Sequence, residues 1–253
     1  MPTALVRRPS PRLADGLVTH IERTPVDADL AVRQWQRYVD ALNTHGWSTV
    51  EVPAIDDCPD GVFIEDTMVV YGDLAVIARS GADERRPEAA EAERTVAAQG
   101  YRITHIAEPG TLDGGDILKI GSTVYAGLGG RTNDEGIRQL REAFAPLGAE
   151  VRAVPVSKVL HLKSAVTALP DGTVIGYEPL VDDPKAFDAF RAMPEESGSH
   201  VVLLGEGKLL MAASAPRSAT LFEELGYTPV VVDISEFEKL EGCVTCLSVR
   251  LRR

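Results

Sequence analysis

The stretch FIEDTMVVYGDLAVIA (63–78) recurs as a pattern in TLDGGDILKIGSTVYAG (111–127) and HLKSAVTALPDGTVIGY (161–177). In each segment, two apolar runs flank a short turn that contains glycine or aspartate, which is typical of a β-hairpin. KLLMAASAP (208–216) and CVTCLSVRL (243–251) continue the pattern less completely. The first three segments begin at residues 63, 111 and 161. A period of about fifty residues indicates stacked or radially arranged repeats.

Helical runs and β-rich runs alternate between these hairpins. The helical runs are LAVRQWQRYVDALNTHG (30–46), PEAAEAERTVAAQG (87–100), TNDEGIRQLREAFAPLG (132–148), DPKAFDAFRAMPEESG (183–198) and RSATLFEELG (217–226). The strands that follow them are WSTVEVPAI (47–55), YRITHIAEP (101–109), AEVRAVPVS (149–157), SHVVLLGEG (199–207) and YTPVVVDIS (227–235). Gly46, Gly100, Gly148 and Gly226 stand where left-handed caps end helices.

Every repeat therefore carries a helix, which distinguishes the chain from all-β kelch blades of the same period. We predict a five-bladed α/β propeller of ββαβ units, with the helices outside. Residues 1–253 would form one domain of five repeats, with pseudo-fivefold symmetry and an active-site cavity on the axis. A regular doubly wound sheet is the alternative, and the hairpins argue against it.

The composition narrows the class of protein. The chain of 253 residues is 44% hydrophobic and carries a formal net charge of −12, which disfavours binding to a nucleic-acid backbone. An acidic interior would favour a small cationic ligand. No stretch approaches the ~20 apolar residues of a membrane helix, and MPTALVRRPSPRLADG (1–16) lacks the apolar run of a signal peptide. With three cysteines, expected to be reduced, the sequence predicts a cytoplasmic protein without a membrane or nucleic-acid partner.

Side chains that can carry chemistry lie where the repeats begin their hairpins: Glu65 and Asp66, Asp113, His161 and Cys246. Around a pseudo-fivefold axis, these equivalent positions would converge on one cavity. Cys246 is the candidate nucleophile, with His161 as its acid–base partner and Asp113 as the group that orients the imidazole. Burial as a small core residue is the alternative for Cys246, and a satisfied core histidine is the alternative for His161.

The spacing of Cys243 and Cys246 resembles metal and redox motifs. Structural zinc needs four ligands, however, and the sequence contains no second CxxC and no paired histidine motif. A thioredoxin-like pair opens a helix, whereas CVTCLSVRL predicts a strand. Because residues three apart on a strand point to opposite faces, we predict that the two cysteines share no ligand. Cys243 and Cys58 are then packing residues.

Two further charged sets are candidates for ligand binding. DGVFIED (60–66) brings together Asp60, Glu65 and Asp66, and the last two interrupt an apolar run where an unpaired charge is costly. A cationic substrate would pair with them, although one of two adjacent carboxylates would point away or lie at a bulge. Arg85 and Arg131 precede helices and could each hold a carboxylate through a bidentate fork. A polar loop edge and ordinary surface arginines are the structural alternatives.

Five motifs together resemble the dimethylarginine dimethylaminohydrolase family of the pentein, or guanidine-modifying, superfamily. They are FIEDTMVV (63–70), TLDGGDIL (111–118), GLGGRTN (127–133), LHLKSAVT (160–167) and TCLSVR (245–250). The resemblance extends over the whole chain and implies a five-bladed ββαβ propeller. It also implies a hydrolase that converts Nω-methylated arginine to citrulline and methylamine or dimethylamine through a cysteine-bound thiouronium intermediate, with no cofactor and no metal.

The resemblance further implies roles for individual residues. Cys246 would attack the guanidinium carbon, His161 would protonate the leaving amine and then activate water, and Asp113 would support His161. The substrate-binding residues would be Asp60, Glu65 and Asp66 around the cationic groups, Arg85 and Arg131 on the α-carboxylate, Leu17 on a lid loop RLADGLVTH (12–20), and Glu241.

Several alternatives stay open at this point. Free arginine or another small guanidino compound could be the substrate, as in an arginine deiminase, whereas agmatine lacks the α-carboxylate that Arg85 and Arg131 would bind. A non-catalytic pentein that binds another macromolecule would not need the thiol, imidazole and carboxylate set. An α/β propeller with an unrelated small ligand is a third possibility. A homodimer is compatible with the resemblance, and the sequence does not decide the oligomeric state.

Overall fold

The computed structural model describes residues 1–252 and contains five three-stranded sheets, which we call blades. In chain order the strands are β1 (Thr3–Val6), β2 (Ser48–Glu51), β3 (Met68–Tyr71), β4 (Leu74–Ile77), β5 (Arg102–His105), β6 (Ile117–Ile120), β7 (Thr123–Leu128), β8 (Glu150–Pro155), β9 (Val166–Ala168), β10 (Val174–Gly176), β11 (Phe190–Ala192), β12 (Val202–Gly205), β13 (Lys208–Ala212), β14 (Thr228–Val232) and β15 (Val249–Leu251). The α-helices are α1 (Ala28–Thr44), α2 (Ala89–Ala98), α3 (Asp134–Phe144), α4 (Leu162–Ala165), α5 (Pro216–Glu224) and α6 (Ser235–Glu238).

All five blades have the same strand order. The middle strand pairs antiparallel with the strand before it and parallel with the strand after it, as β4 does with β3 and β5. The first blade obtains its antiparallel strand from the other end of the chain, since β15 pairs with β1 and places Leu251 opposite Thr3. The two ends of the described chain therefore meet in one sheet, and the ring of blades is closed.

The long helices form where the apolar spacing predicts them. The carboxylate of Asp27 accepts a hydrogen bond from the Leu30 amide at 2.8 Å and caps α1, whose buried face includes Trp35 and Leu42. Asn133 caps α3 in the same way, and Ile137, Leu140 and Phe144 of α3 are buried. Burial of one apolar face holds each helix against its blade. The four predicted capping glycines, Gly46, Gly100, Gly148 and Gly226, have left-handed φ values of 84°, 79°, 75° and 85°.

The helix predicted over residues 183–198 is absent. That segment contains single 3-10 turns at Pro184–Ala186 and Ser197–Ser199, with β11 between them. Two prolines interrupt the segment, and Phe187 packs into the core of the fourth blade, with its ring centroid 5.1 Å from that of Tyr125. The run SHVVLLGEG (199–207) is corrected as well, because its strand β12 begins the fifth blade instead of completing the fourth.

A helical turn, and not a continuous strand, leads into the first strand of each blade. Ile64–Thr67, Gly114–Asp116 and Ser197–Ser199 are 3-10 turns, and α4 is a single α-turn. In the predicted strand CVTCLSVRL (243–251), Cys243–Leu247 also form a turn, with the Cys246 amide donating to the Cys243 carbonyl at 3.1 Å, and only Val249–Leu251 form a strand. These turns place the candidate residues on the axis.

None of the helices within residues 1–252 is long and apolar enough to cross a membrane.

Closure by β15 predicts one cooperative unfolding transition for the whole chain. Val249 in β15 is buried, so Val249→Asp would place an unpaired charge in the core and lower the free energy of unfolding by about 3 kcal/mol or more. The measurement is scanning calorimetry, with Val231→Asp on the exposed face of β14 as the matched control. Two separate transitions, or equal effects of the two substitutions, would contradict closure of the ring by β15.

Candidate active site

The candidate site is a narrow cavity of about 20 Å³ near the propeller axis. Its lining includes eight of the ten residues predicted from the sequence: Leu17, Asp60, Asp66, Arg85, Arg131, His161, Glu241 and Cys246. Of the other two, Asp113 lies directly behind His161, and Glu65 faces away. The turns that begin the blades thus bring together side chains that are far apart in the sequence.

His161 is held between carboxylates. Its Nε2 lies 3.0 Å from Oδ2 of Asp113, and its Nδ1 lies 3.8 Å from Oδ1 of Asp66. Burial alone would lower the pKa of His161, but Asp66, Asp116 and Asp113 raise it to about 9. His161 is therefore an imidazolium at neutral pH, able to donate a proton.

Asp66 is an anion that several groups stabilise. Arg85 donates to Oδ2 at 2.6 Å and the Gly115 amide donates to Oδ1 at 2.8 Å. Burial opposes ionisation, but His161 and Arg85 outweigh it and hold the pKa of Asp66 well below its usual range. A side chain at Gly115 would stand 2.6 Å from both Asp66 and His161, so this close approach requires glycine.

Arg85 is bound mainly to protein groups. Its Nε and Nη2 donate to both oxygens of Glu88 at 3.0 and 2.8 Å, and Nη2 also reaches the carbonyls of Asp60 and Phe63. Together with the bond to Asp66, this leaves one Nη1 hydrogen for a ligand. Arg131 is less occupied, since its Nη1 donates to Oδ2 of Asp113 at 3.2 Å. Of the two arginines, Arg131 offers more unused donors to a substrate carboxylate.

The structure overturns the prediction that the two cysteines of CVTC face opposite ways. Sγ of Cys243 lies 3.3 Å from Sγ of Cys246, because the residues lie on a turn and not on a strand. Cys243 is buried in the core beside the site, and Cys58 is buried as well. The hydrogen bond with Cys243, burial and the carboxylates of Glu65 and Asp66 raise the pKa of the Cys246 thiol. The same hydrogen bond lowers the pKa of the Cys243 thiol to about 5, so the two thiols titrate as a pair.

The lid loop, residues 12–20, reaches the cavity through Leu17, which lines it. The carboxylate of Asp60 accepts from the Leu17 amide at 3.1 and 3.2 Å. Glu241 accepts from the amides of Thr19 and His20 at 2.7 and 2.8 Å. Glu241 has a left-handed φ of 60° and also lines the cavity.

Glu65 does not contribute its carboxylate to this cavity. Its side chain binds Lys163 at 2.6 Å and also Arg250, and it lines a second cavity of about 450 Å³. Adjacent side chains of a 3-10 turn differ in direction by about 120°, which is why Asp66 and Glu65 separate. The Glu65 amide nevertheless donates to the Cys246 carbonyl at 3.2 Å and so helps to position the turn that carries the thiol.

Two buried carboxylates of this region, those of Glu88 and Asp116, were not predicted from the sequence. Glu88 anchors Arg85, and the i,i+3 spacing of the two residues at the start of a helix was the available signal. Asp116 accepts from the Thr132 hydroxyl at 2.6 Å and the Leu162 amide at 2.9 Å, and burial raises its pKa to about 6. Asp116 thereby fixes α4 immediately after His161.

The carboxylates and the imidazole also form a potential metal-ligand cluster. Ligand atoms of Asp66, Asp113 and His161 lie within 4.8 Å of one another. Arg85 and Arg131 already pair with the two carboxylates, so positive charge is supplied by the protein itself. The donor set therefore suits proton transfer and binding of a substrate cation better than a resident metal ion.

An α/β propeller with a thiol, an imidazole and paired carboxylates on its axis belongs to the guanidine-modifying, or pentein, class of enzymes, and a family model for arginine deiminase matches residues 41–214. The N(G),N(G)-dimethylarginine dimethylaminohydrolase of Streptomyces coelicolor is 66% identical over 249 residues, which cover 98% of this chain and 96% of the relative. Within the pentein class, the chain belongs to the dimethylarginine dimethylaminohydrolase family.

Solved structures agree with this assignment. A histidine-to-glycine variant of dimethylarginine dimethylaminohydrolase, an adduct with S-methyl-L-thiocitrulline, superposes with a TM-score of 0.92 at 31% identity, over 98% of this chain and 99% of that chain. A cysteine-to-serine mutant of the Pseudomonas aeruginosa enzyme, complexed with citrulline, has a TM-score of 0.91 at 32% identity and covers 98% of both chains. The five-bladed fold predicted from the sequence is confirmed.

The carboxylates around His161 predict a measurable change in its titration. Asp113→Asn removes a negative charge 3.0 Å from Nε2, so the pKa of His161 should fall by about 1 to 2. NMR titration of the imidazole resonances measures this value, with His161→Gln used for assignment. The exposed Asp188→Asn is the control. An unchanged pKa in Asp113→Asn would show that Asp113 does not stabilise the imidazolium.

Proposed function

We propose that this chain is a dimethylargininase, which hydrolyses Nω-methylated arginine to citrulline and dimethylamine or methylamine. The observation that carries the proposal is the meeting of Cys246, His161, Asp66 and Arg131 in one cavity. One cavity then offers a nucleophile, a proton donor, an anion for the guanidinium and a cation for the α-carboxylate. The Streptomyces coelicolor relative is named for this activity.

The first step is attack by the thiolate of Cys246 on the guanidinium carbon. The substrate brings a positive charge beside Cys246, which lowers the pKa of the thiol and opposes the effect of Asp66 and Glu65. The thiol proton passes to solvent, so substrate binding creates the thiolate that attacks the guanidinium carbon. The carboxylate of Asp66 holds the guanidinium in the attack geometry, since it is ionised and lies close to His161.

The second step is loss of the amine. The tetrahedral adduct breaks its bond to the methylated nitrogen, and that nitrogen takes a proton from His161, which is an imidazolium at neutral pH. A thiouronium remains on Cys246. His161, now neutral, accepts a proton from water as the water attacks the same carbon. Cleavage of the carbon–sulfur bond then releases citrulline.

Asp113 acts as a positioning residue in this scheme. Its Oδ2 lies 3.0 Å from Nε2 of His161 and accepts from Nη1 of Arg131 at 3.2 Å. One buried carboxylate oxygen therefore aligns the proton donor and the arginine that would bind the substrate α-carboxylate. Arg85 orients Asp66 and Asp60 and would add its remaining Nη1 hydrogen to the substrate.

Access to the cavity requires movement of the lid loop. A volume of about 20 Å³ is too small for a molecule the size of arginine. Asp60 and Glu241 hold the lid loop through hydrogen bonds to backbone amides, which can break and form again without unfolding a blade. We propose that Leu17, Asp60 and Glu241 act on the substrate through closure of the lid loop, with Leu17 as the part that covers it.

A deiminase acting on free arginine is the second candidate, since the matching family model is that of arginine deiminase. The two activities produce the same citrulline and differ in the amine. The non-catalytic alternative is disfavoured, because it gives no reason for Cys246 and His161 to meet beside Asp66.

Product analysis of two cysteine variants tests the proposal. The protein is expected to release citrulline and dimethylamine from asymmetric dimethylarginine, and much less ammonia from arginine. Cys246→Ser should lower turnover by at least about 10³-fold, whereas Cys243→Ser should retain most of it, since Cys243 lies behind the nucleophile. Ammonia from arginine alone would favour the deiminase. Absence of citrulline from both substrates would overturn both candidates.

A further inference from the structure

The second cavity, of about 450 Å³, is formed by all five blades. The residues that line it come from the first strands β3, β6, β9, β12 and β15 and from the turns next to them. It is therefore the part of the central channel on the far side of Glu65 from the candidate active site. Its volume lies within the range of small-molecule sites, about 300–1,000 Å³.

Positive charge dominates this cavity. Four cationic side chains line it, from Lys119, Lys163, Arg250 and Arg252, against one carboxylate, that of Glu65. Lys163 and Arg250 both pair with Glu65, whereas Lys119 donates to the Val70 carbonyl at 2.5 Å and Arg252 to the Leu203 carbonyl at 2.7 Å. Lys119 and Arg252 thus have no carboxylate partner among the described residues, in a chain whose net charge is −12.

Other cationic side chains in the cavity make the positive charges of Lys119 and Arg252 unfavourable. Lys163 and Arg250 repel the positive charge of Lys119, and Arg250 repels that of Arg252. Lys119 and Arg252 are both exposed by surface area, which fits side chains that stand in the channel and not in packed protein. An anion in the channel would relieve the repulsion among these cations.

We propose that the second cavity binds a small organic polycarboxylate. Lys119 and Arg252 supply the unneutralised charges, and apolar side chains such as Met68, Leu118 and Val201 form walls that suit a carbon skeleton better than a bare inorganic ion. The inference does not depend on the activity of the candidate active site, because that site and this cavity share no cationic residue.

Calorimetric titration of the full chain with citrate, at constant ionic strength in chloride, tests this site. One citrate should bind per chain, and Lys119→Gln and Arg252→Gln should each weaken binding about tenfold, as expected for loss of one charged contact. Lys185→Gln, at an exposed lysine outside the cavity, is the matched control and should leave binding unchanged. The two cavity variants should keep the turnover of the parent protein.

Three results would overturn the proposal. Citrate could give neither binding heat nor a rise in the unfolding temperature. Lys119→Gln, Arg252→Gln and Lys185→Gln could all bind citrate equally, which would show that binding depends on the general surface charge and not on this cavity. Inorganic phosphate could bind as tightly as citrate, which would show that the cavity recognises charge alone and not an organic polycarboxylate.

A separate observation concerns the two thiols of Cys243 and Cys246. Their sulfur atoms lie 3.3 Å apart on one turn, and both cysteines are free. We infer that hydrogen peroxide converts this pair to a disulfide. One sulfur attacks the peroxide, the O–O bond breaks, and a sulfenic acid and water form. The second thiol then displaces the hydroxyl group as a second water, so the two electrons lost by the thiols reduce the peroxide.

The consequence for turnover rests on the proposed function, whereas disulfide formation does not. Cys246 lines the candidate cavity and Cys243 lies behind it, so the disulfide would remove the nucleophile reversibly. Tryptic cleavage gives one peptide, residues 240–250, that contains both cysteines and separates them from Cys58.

Mass spectrometry of that peptide after treatment with hydrogen peroxide tests the inference. The peptide should lose two hydrogen atoms, and dithiothreitol should restore both the mass and the turnover. Cys243→Ser should instead gain two or three oxygen atoms on Cys246, as a sulfinic or sulfonic acid, and lose turnover that dithiothreitol does not restore, while Cys58→Ser should behave as the parent. Oxygen addition without loss of hydrogen in the parent would overturn the inference. A disulfide without loss of turnover would instead contradict the proposed role of Cys246.

Discussion

The pairing of β15 with β1 is the constraint on which the rest of the molecule depends. It joins the end of the described chain to its beginning, so five blades that each bury little apolar surface alone share one closed ring. The same pairing brings the Cys246 turn to the axis, where the Glu65 amide and the Tyr38 hydroxyl, 3.0 Å from the Val244 carbonyl, hold it. These contacts fix the turn that carries Cys246 within the site.

The charged side chains near the axis form ion pairs with one another. Asp66 and Asp113 keep His161 protonated, Arg85 keeps Asp66 ionised, and Arg131 donates a hydrogen bond to Asp113. This set holds His161 ready as a proton donor. In the proposed mechanism, the positive charge of the substrate promotes ionisation of the Cys246 thiol, which favours cationic electrophiles.

Glu65 and Asp66 show how one turn serves both ends of the channel. Asp66 points toward His161, and Glu65 points toward Lys163 and Arg250 in the second cavity. The two cavities differ accordingly, since carboxylates surround the imidazole in one and cations dominate the other. One 3-10 turn therefore lies between the proposed cation site, which is the candidate active site, and the proposed anion site in the second cavity.

Periodic apolar runs predicted the repeat and its ββαβ unit, because such runs are local signals. Polar residues at equivalent places in the repeats predicted that Asp66, Asp113, His161 and Cys246 lie near the axis. It could not determine the contact of Cys243 with Cys246 or the direction of Glu65, since both depend on turns that form as the chain meets the axis. The helix predicted over residues 183–198 does not form, because packing of Phe187 outweighs the local helix propensity. Distances between side chains of different blades follow from ring closure, and no single segment contains that information.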